Sequence, residues 1–86
     1  MNEMTLTGLT RLLESNYANR AKYLIVGIDL DMERYEWIIN RQENFNAKLA
    51  YYCQVYNEDL TLKANPKIQI KYFNLVESNE ELALYF

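Results

Sequence analysis

Residues 23–28 read Tyr-Leu-Ile-Val-Gly-Ile, the longest unbroken apolar run in the chain. The run is β-branched and apolar on both of its alternating faces at its start, the pattern of a central strand. It predicts a strand over residues 22–29. Leu24, Val26, Ile28 and Leu30 share one face. Gly27 interrupts the other, where a bulge or a close approach is expected. The run is far too short to cross a bilayer, which takes about 20 apolar residues. The N-terminus also lacks the basic-then-apolar layout of a signal peptide.

The rest of the chain arranges itself around this strand. Leu6, Leu9, Leu13 and Tyr17 recur at helical period, so residues 5–17 are expected to form a helix with that stripe inward and Gly8 on the other face. Tyr35, Trp37 and Ile39 alternate with Glu36, Ile38 and Asn40, which makes residues 22–40 a β-hairpin with a four- or five-residue loop. A helix from 32 to 39 is the competing reading. Phe45, Leu49, Tyr52, Cys53, Tyr56 and Leu60 form the inward stripe of a second helix over residues 43–60, with Asn44 as N-cap and residues 57–63 open to a loop reading. Pro66 breaks the chain and leads into a strand over 67–76. There the alternation slips at Phe73 and Leu75, as a bulge or a doubly covered end would require. Ser78 followed by Glu81 matches a capping box, so residues 79–86 are read as a short helix or an edge strand. The order α-β-β-α-β(-α) implies one α+β domain over residues 1–86, an antiparallel or mixed sheet with helices on one face.

Composition narrows the chemistry. There is no His and one Cys among 86 residues. A Ser-His-Asp or Cys-His arrangement is therefore excluded, and so in practice is a closed zinc site. No disulfide forms within the chain. The net charge of −3 has no basic stretch in it, so direct nucleic-acid binding, which rests on neutralised phosphates, is not expected. No cofactor and no catalytic residue are assigned. Eight Tyr supply what binding surfaces use.

Asp29 and Asp31, with Glu33 nearby, are the first site candidate. Carboxylates at i and i+2 on an extended chain project to one side. They could hold a divalent cation, which takes hard oxygen ligands, or meet the Arg and Lys of a partner. The alternative is that they solvate a hairpin turn. Tyr51 and Val55 are the second candidate, four residues apart on a helix face away from the stripe. They suit a partner contact, a homodimer contact, or a second buried face. Cys53 is expected to be buried and Trp37 to lie in the core, or else to anchor a partner. Lys63, Lys67 and Lys71 are expected to solubilise an edge.

The words Ile-Val-Gly-Ile-Asp-Leu resemble the first strand of the RNase H-like fold, whose Asp binds metal. The Asp-x-Asp resembles the nucleophile motif of haloacid-dehalogenase-like phosphatases, which has Gly and Thr where Met32 and Glu33 stand. Each likeness spans fewer than about ten residues and lacks the other carboxylates those folds use. Across most of the chain, the strand Tyr-Leu-Ile-Val-Gly-Ile-Asp and the run Tyr-Asn-Glu-Asp-Leu-Thr-Leu-Lys-Ala-Asn-Pro-Lys-Ile over residues 56–68 resemble small phage and prophage proteins of low-GC Gram-positive bacteria. That likeness implies an accessory protein in the cytoplasm of a bacterial host, one of those that bind and block host machinery, anti-CRISPR proteins among them. It carries no site residue over. The expected function is thus stoichiometric binding of a host defence or nucleic-acid-handling protein through Asp29, Asp31, Glu33, Tyr51 and Val55. The alternatives are a self-associating homodimer and a carboxylate-based metal binder.

Overall fold

In the computed structural model, which describes residues 3–31 and 34–85, the apolar run becomes β1 (Tyr23–Asp29), flanked on both sides in a four-stranded sheet. The strand order is β2-β1-β4-β3, with β2 Tyr35–Arg41, β3 Thr61–Leu62 and β4 Asn65–Val76. Every neighbouring pair is antiparallel. Leu24, Val26 and Ile28 turn to one face and join Ile70 and Phe73 of β4 in the core. The hairpin of β1 and β2 keeps one uninterrupted register from Tyr23–Arg41 to Asp29–Tyr35, closed by a five-residue loop. The strand reading of residues 35–40 therefore holds over the helical one.

The core face is covered by α1 (Leu6–Glu14), α2 (Asn16–Arg20) and α3 (Phe45–Val55), with a 3-10 turn, Gln42–Asn44, leading into α3. The first helix ends sooner than its apolar stripe. Ser15 leaves helical geometry and its hydroxyl bonds the Leu12 carbonyl at 2.6 Å, so the chain turns into α2. Tyr17 consequently does not continue the inward stripe; it is 61% exposed. Gly8 is buried, not on the outer face, because the Glu3 carbonyl lies against its Cα. Thr5 caps α1, accepting from Gly8 N at 3.0 Å.

The second helix is shorter than its pattern. It stops at Val55, and Tyr56 turns to extended geometry to bridge Leu62. Leu60 still reaches the core, fully buried, but from a turn at φ 67° rather than from a helix. Asn44 stands at the N-cap position without a side-chain cap bond. Cys53 is exposed, 3.8 Å from the Thr10 hydroxyl, and is not part of the core stripe.

The slip in β4 is a bulge. Gly27 pairs with Tyr72 and Ile28 with Ile70, so Lys71 is the extra residue. Ile70 and Phe73 thereby face the same side although three residues apart, which period-two alternation alone forbids. The other sheet face carries Tyr23, Ile25, Tyr35, Trp37, Tyr72 and Val76. Residues 79–85, beginning with the short helix α4 (Asn79–Ala83), close over it. Tyr23 donates to Asn79 Oδ1 at 3.0 Å, and the Tyr72 and Tyr85 hydroxyls stand 3.0 Å apart. Ser78 caps α4 through Glu81 N, as its spacing implied. No helix among the described residues is long and apolar enough to cross a membrane.

Candidate functional site

The hairpin loop begins where Asp29 ends β1. Its Oδ1 accepts from Asp31 N at 3.1 Å, a local turn that an Asp side chain favours. Asp31 itself adopts φ 84°, the left-handed region that Asp tolerates better than most residues. Leu30 N donates to Arg34 O and Arg34 N to Asp31 O, which closes the loop. The turn changes the geometry expected of the two acids. On an extended chain they would project together; here the chain reverses at Asp31, and one Asp29 oxygen is used to build the loop. Both are half-buried. Glu33 lies outside the described residues. Among the described residues no three acidic, Cys or His side chains come together as a metal-holding group.

The second candidate pair separates. Tyr51 is 48% exposed, its ring beneath the Lys48 ammonium at 5.3 Å. Val55 is half-buried against the core, so the second-buried-face reading holds for it while Tyr51 stays at the surface. Cys53 meets Thr10, which fixes the flank of α3 that touches α1. At 100° per residue, Tyr51 stands about 160° away from Cys53. It therefore lies on the flank opposite α1. Leu12 and Tyr17 line a cleft with Asn74 and Leu75 of β4, which puts α1 at the β4 side of the sheet and the Tyr51 flank toward the β2 side.

The feature that sequence reasoning missed is β2 itself. It is the outermost strand, with β1 on one side and, among the described residues, no strand on the other. Tyr35 and Ile39 on its outer face are 48% and 43% exposed. Tyr35 packs edge-on against Trp37, at 5.4 Å between ring centroids, and its hydroxyl lies over Gly27. Gly27 is needed for that close approach: a Cβ there would meet the Tyr35 hydroxyl. Burial, and then the Asp29 carboxylate across the ladder, push the Tyr35 hydroxyl up from its ordinary value. Trp37 is half-buried in an aromatic cluster with Tyr35, Tyr72 and Tyr85, on the sheet face away from the main core. The sequence marks β2 only as solvent-open, not as the edge: β1 is apolar on both faces, whereas β2 carries the exposed Glu36 and Arg41.

Comparison with protein-family models, with curated proteins and with solved structures finds no match. The likeness of the sequence to phage and prophage proteins gains no support from these comparisons. What remains is the geometry: a seven-residue strand with no described strand on its outer side, an aromatic cluster beside it, an acidic loop at its start, and Tyr51 on the flank of α3 toward the same side.

Proposed function

We propose that this chain is a protein-binding domain that acts by contact rather than by catalysis, and that β2 is its contact edge. The observation carrying this reading is that Tyr35 and Ile39 stand 48% and 43% exposed along a strand whose outer side no described strand pairs. An unpaired strand offers a row of N–H and C=O groups to a partner's backbone, and the exposed side chains supply specificity. Asp29 and Asp31 at the start of the edge would speed encounter with a cationic partner. The absence of His supports a role outside acid–base catalysis.

In its narrower form the reading makes the chain a phage-encoded inhibitor in the cytoplasm of a bacterial host. Its target would be a defence or nucleic-acid-handling protein whose Arg and Lys meet the loop acids. The test is capture from host extract followed by titration of the purified partner. A one-to-one complex that Ile39→Pro weakens at least about tenfold, while Gln54→Ala on exposed α3 leaves it unchanged, is the expected result. A partner bound equally well by Ile39→Pro overturns the contact-edge reading, and the absence of any specific host partner overturns the inhibitor form.

A further inference from the structure

We infer that the strand partner of β2 is the β2 of a second copy of this chain, paired antiparallel about a two-fold axis through Ile38. The inference rests on the reading of β2 as a contact edge and names its occupant. Its first support is the hydrogen-bond parity of the hairpin. Leu30 N donates to Arg34 O at 2.8 Å and Gln42 N to Lys22 O at 2.9 Å, one bond at each end of the ladder. With the register between them uninterrupted, Glu36, Ile38 and Asn40 turn their backbone groups to β1. Tyr35, Ile39 and Arg41 turn theirs outward.

A two-fold axis perpendicular to the sheet keeps the helices of both copies on the same face and pairs residues of like parity. Centred on Ile38, it sets Tyr35 opposite Arg41, Glu36 opposite Asn40, Trp37 opposite Ile39 and Ile38 opposite itself. Outward-turned groups therefore meet outward-turned groups. All seven residues of the strand are used, and a slip of two residues in either direction leaves the last two without a strand partner. The side chains agree with this register. Ile38 meets its own copy at the rim of the core face, and Trp37 meets Ile39 on the outer face. Arg41 can lie across the Tyr35 ring. The charged residues Glu36 and Arg41 each face a neutral one, so no like charges stand opposite, which would cost stability.

The contrast with the free half of β4 makes the same point. Leu75 N–H points away from β1 there, and the adjacent Asn74 side chain takes it at 2.9 Å. Leu12 and Tyr17 stand beside that half as the facing wall of a cleft. β3 covers the start of the same strand. The β4 edge is thus blunted in the ways sheet edges usually are, whereas β2 has no Pro, no Lys and no bulge.

A seven-residue edge buries roughly 1,000 Å² in total, the low end for a specific interface, so the dimer should be micromolar. Sedimentation equilibrium of the wild-type chain should show the mass rising from 10.3 kDa toward twice that between about 10 and about 500 µM. Ile39→Pro deletes an outward N–H that β1 does not use, a place where an edge strand accepts proline. It should stay monomeric with an unchanged circular dichroism spectrum. Should it fail to fold, Tyr35→Lys, which sets a cation opposite Arg41 of the second copy, should weaken the dimer at least about tenfold. In a Cys53→Ser background, Ile38→Cys should oxidise to one disulfide-linked dimer, because a non-hydrogen-bonded pair spans about 4.5 Å between Cα atoms. Gln54→Cys in that background should not. A wild-type mass that stays at one chain throughout, or a dimer that survives both edge variants, overturns the self-pairing. If the monomer then binds another protein and Ile39→Pro releases it, the contact-edge reading stands without the self-pairing. If Ile39→Pro leaves that binding intact, both fail.

Discussion

At Gly8 two effects oppose each other. Alanine there gains about 1 kcal/mol of helix propensity. Its Cβ would run into the Glu3 carbonyl oxygen, which is backbone and already accepts from Thr5 N. Backbone cannot swing aside as a side-chain tip can, so the overlap wins. Gly8→Ala should lower the melting temperature by several degrees, where propensity alone would raise it. A thermal melt decides between them. Asn40 is the one described polar residue buried in the sheet, donating to the Tyr52 hydroxyl at 3.2 Å. Asn40→Leu should cost about 1–3 kcal/mol by leaving that hydroxyl unpartnered, and adding Tyr52→Phe should recover part of the loss. Denaturant titration of the four-member cycle measures the coupling. Neither role was legible in the residue alone. Gly8 needed the path of residues 3–5, and Asn40 looked like the polar end of an alternating strand.

At the scale of the elements, spacing carried furthest where local rules suffice. The strand at 22–29, the hairpin and its loop length, and the Ser78 cap all follow from period, turn length or a three-residue interval. The helix ends did not follow. Tyr17 and Leu60 sit at helical spacing, yet Ser15 and Tyr56 leave the helix before them. Apolar residues at compatible spacing can reach one core from different elements, so periodicity overruns a terminus that a backbone bond sets. Lys71 gives the converse case. The slip at Phe73 signalled a bulge, and the extra residue lies two positions earlier. Deleting Lys71 would join Ile70 directly to Tyr72 and keep it opposite Ile28, so strict alternation alone would hold Ile68, Ile70 and Phe73 on the core face. The deletion variant should therefore still unfold cooperatively by circular dichroism, and a variant that no longer does so would refute the bulge. Ser78→Ala should act more locally, because no residue of α4 is fully buried. It should speed hydrogen exchange in α4 and leave the β1 amides protected.

Across the molecule the tyrosines divide by burial. Tyr56 is buried, and burial first, then the neighbouring Tyr51 and Tyr52 hydroxyls, push its hydroxyl up to about 12. Tyr52 is raised too, chiefly by burial. The folded chain therefore holds these protons at a pH where the unfolded chain has released them. The stability they contribute is fully present below about pH 10, the ordinary tyrosine value. It is lost as pH rises through about 12. Melting temperature should stay level between about pH 7 and about pH 9 and fall beyond about pH 10. Tyr56→Phe, with no proton to lose, should fall less steeply over that interval. Equal slopes for the two chains would refute the assignment.

The sequence by itself determined the α+β class and the central place of residues 23–28. It also excluded His-based catalysis, because composition and period-two alternation act without reference to distant residues. Only the tertiary structure decided which strand lies at the edge. A half-exposed strand has the same alternation whether its neighbours number one or two, and the difference lies in backbone groups that every residue carries alike. The same holds for Tyr51 and Val55. Helical spacing put them on one flank, but the position of α1 and of the chain after Val55 decided that one is exposed and the other is packed against the core.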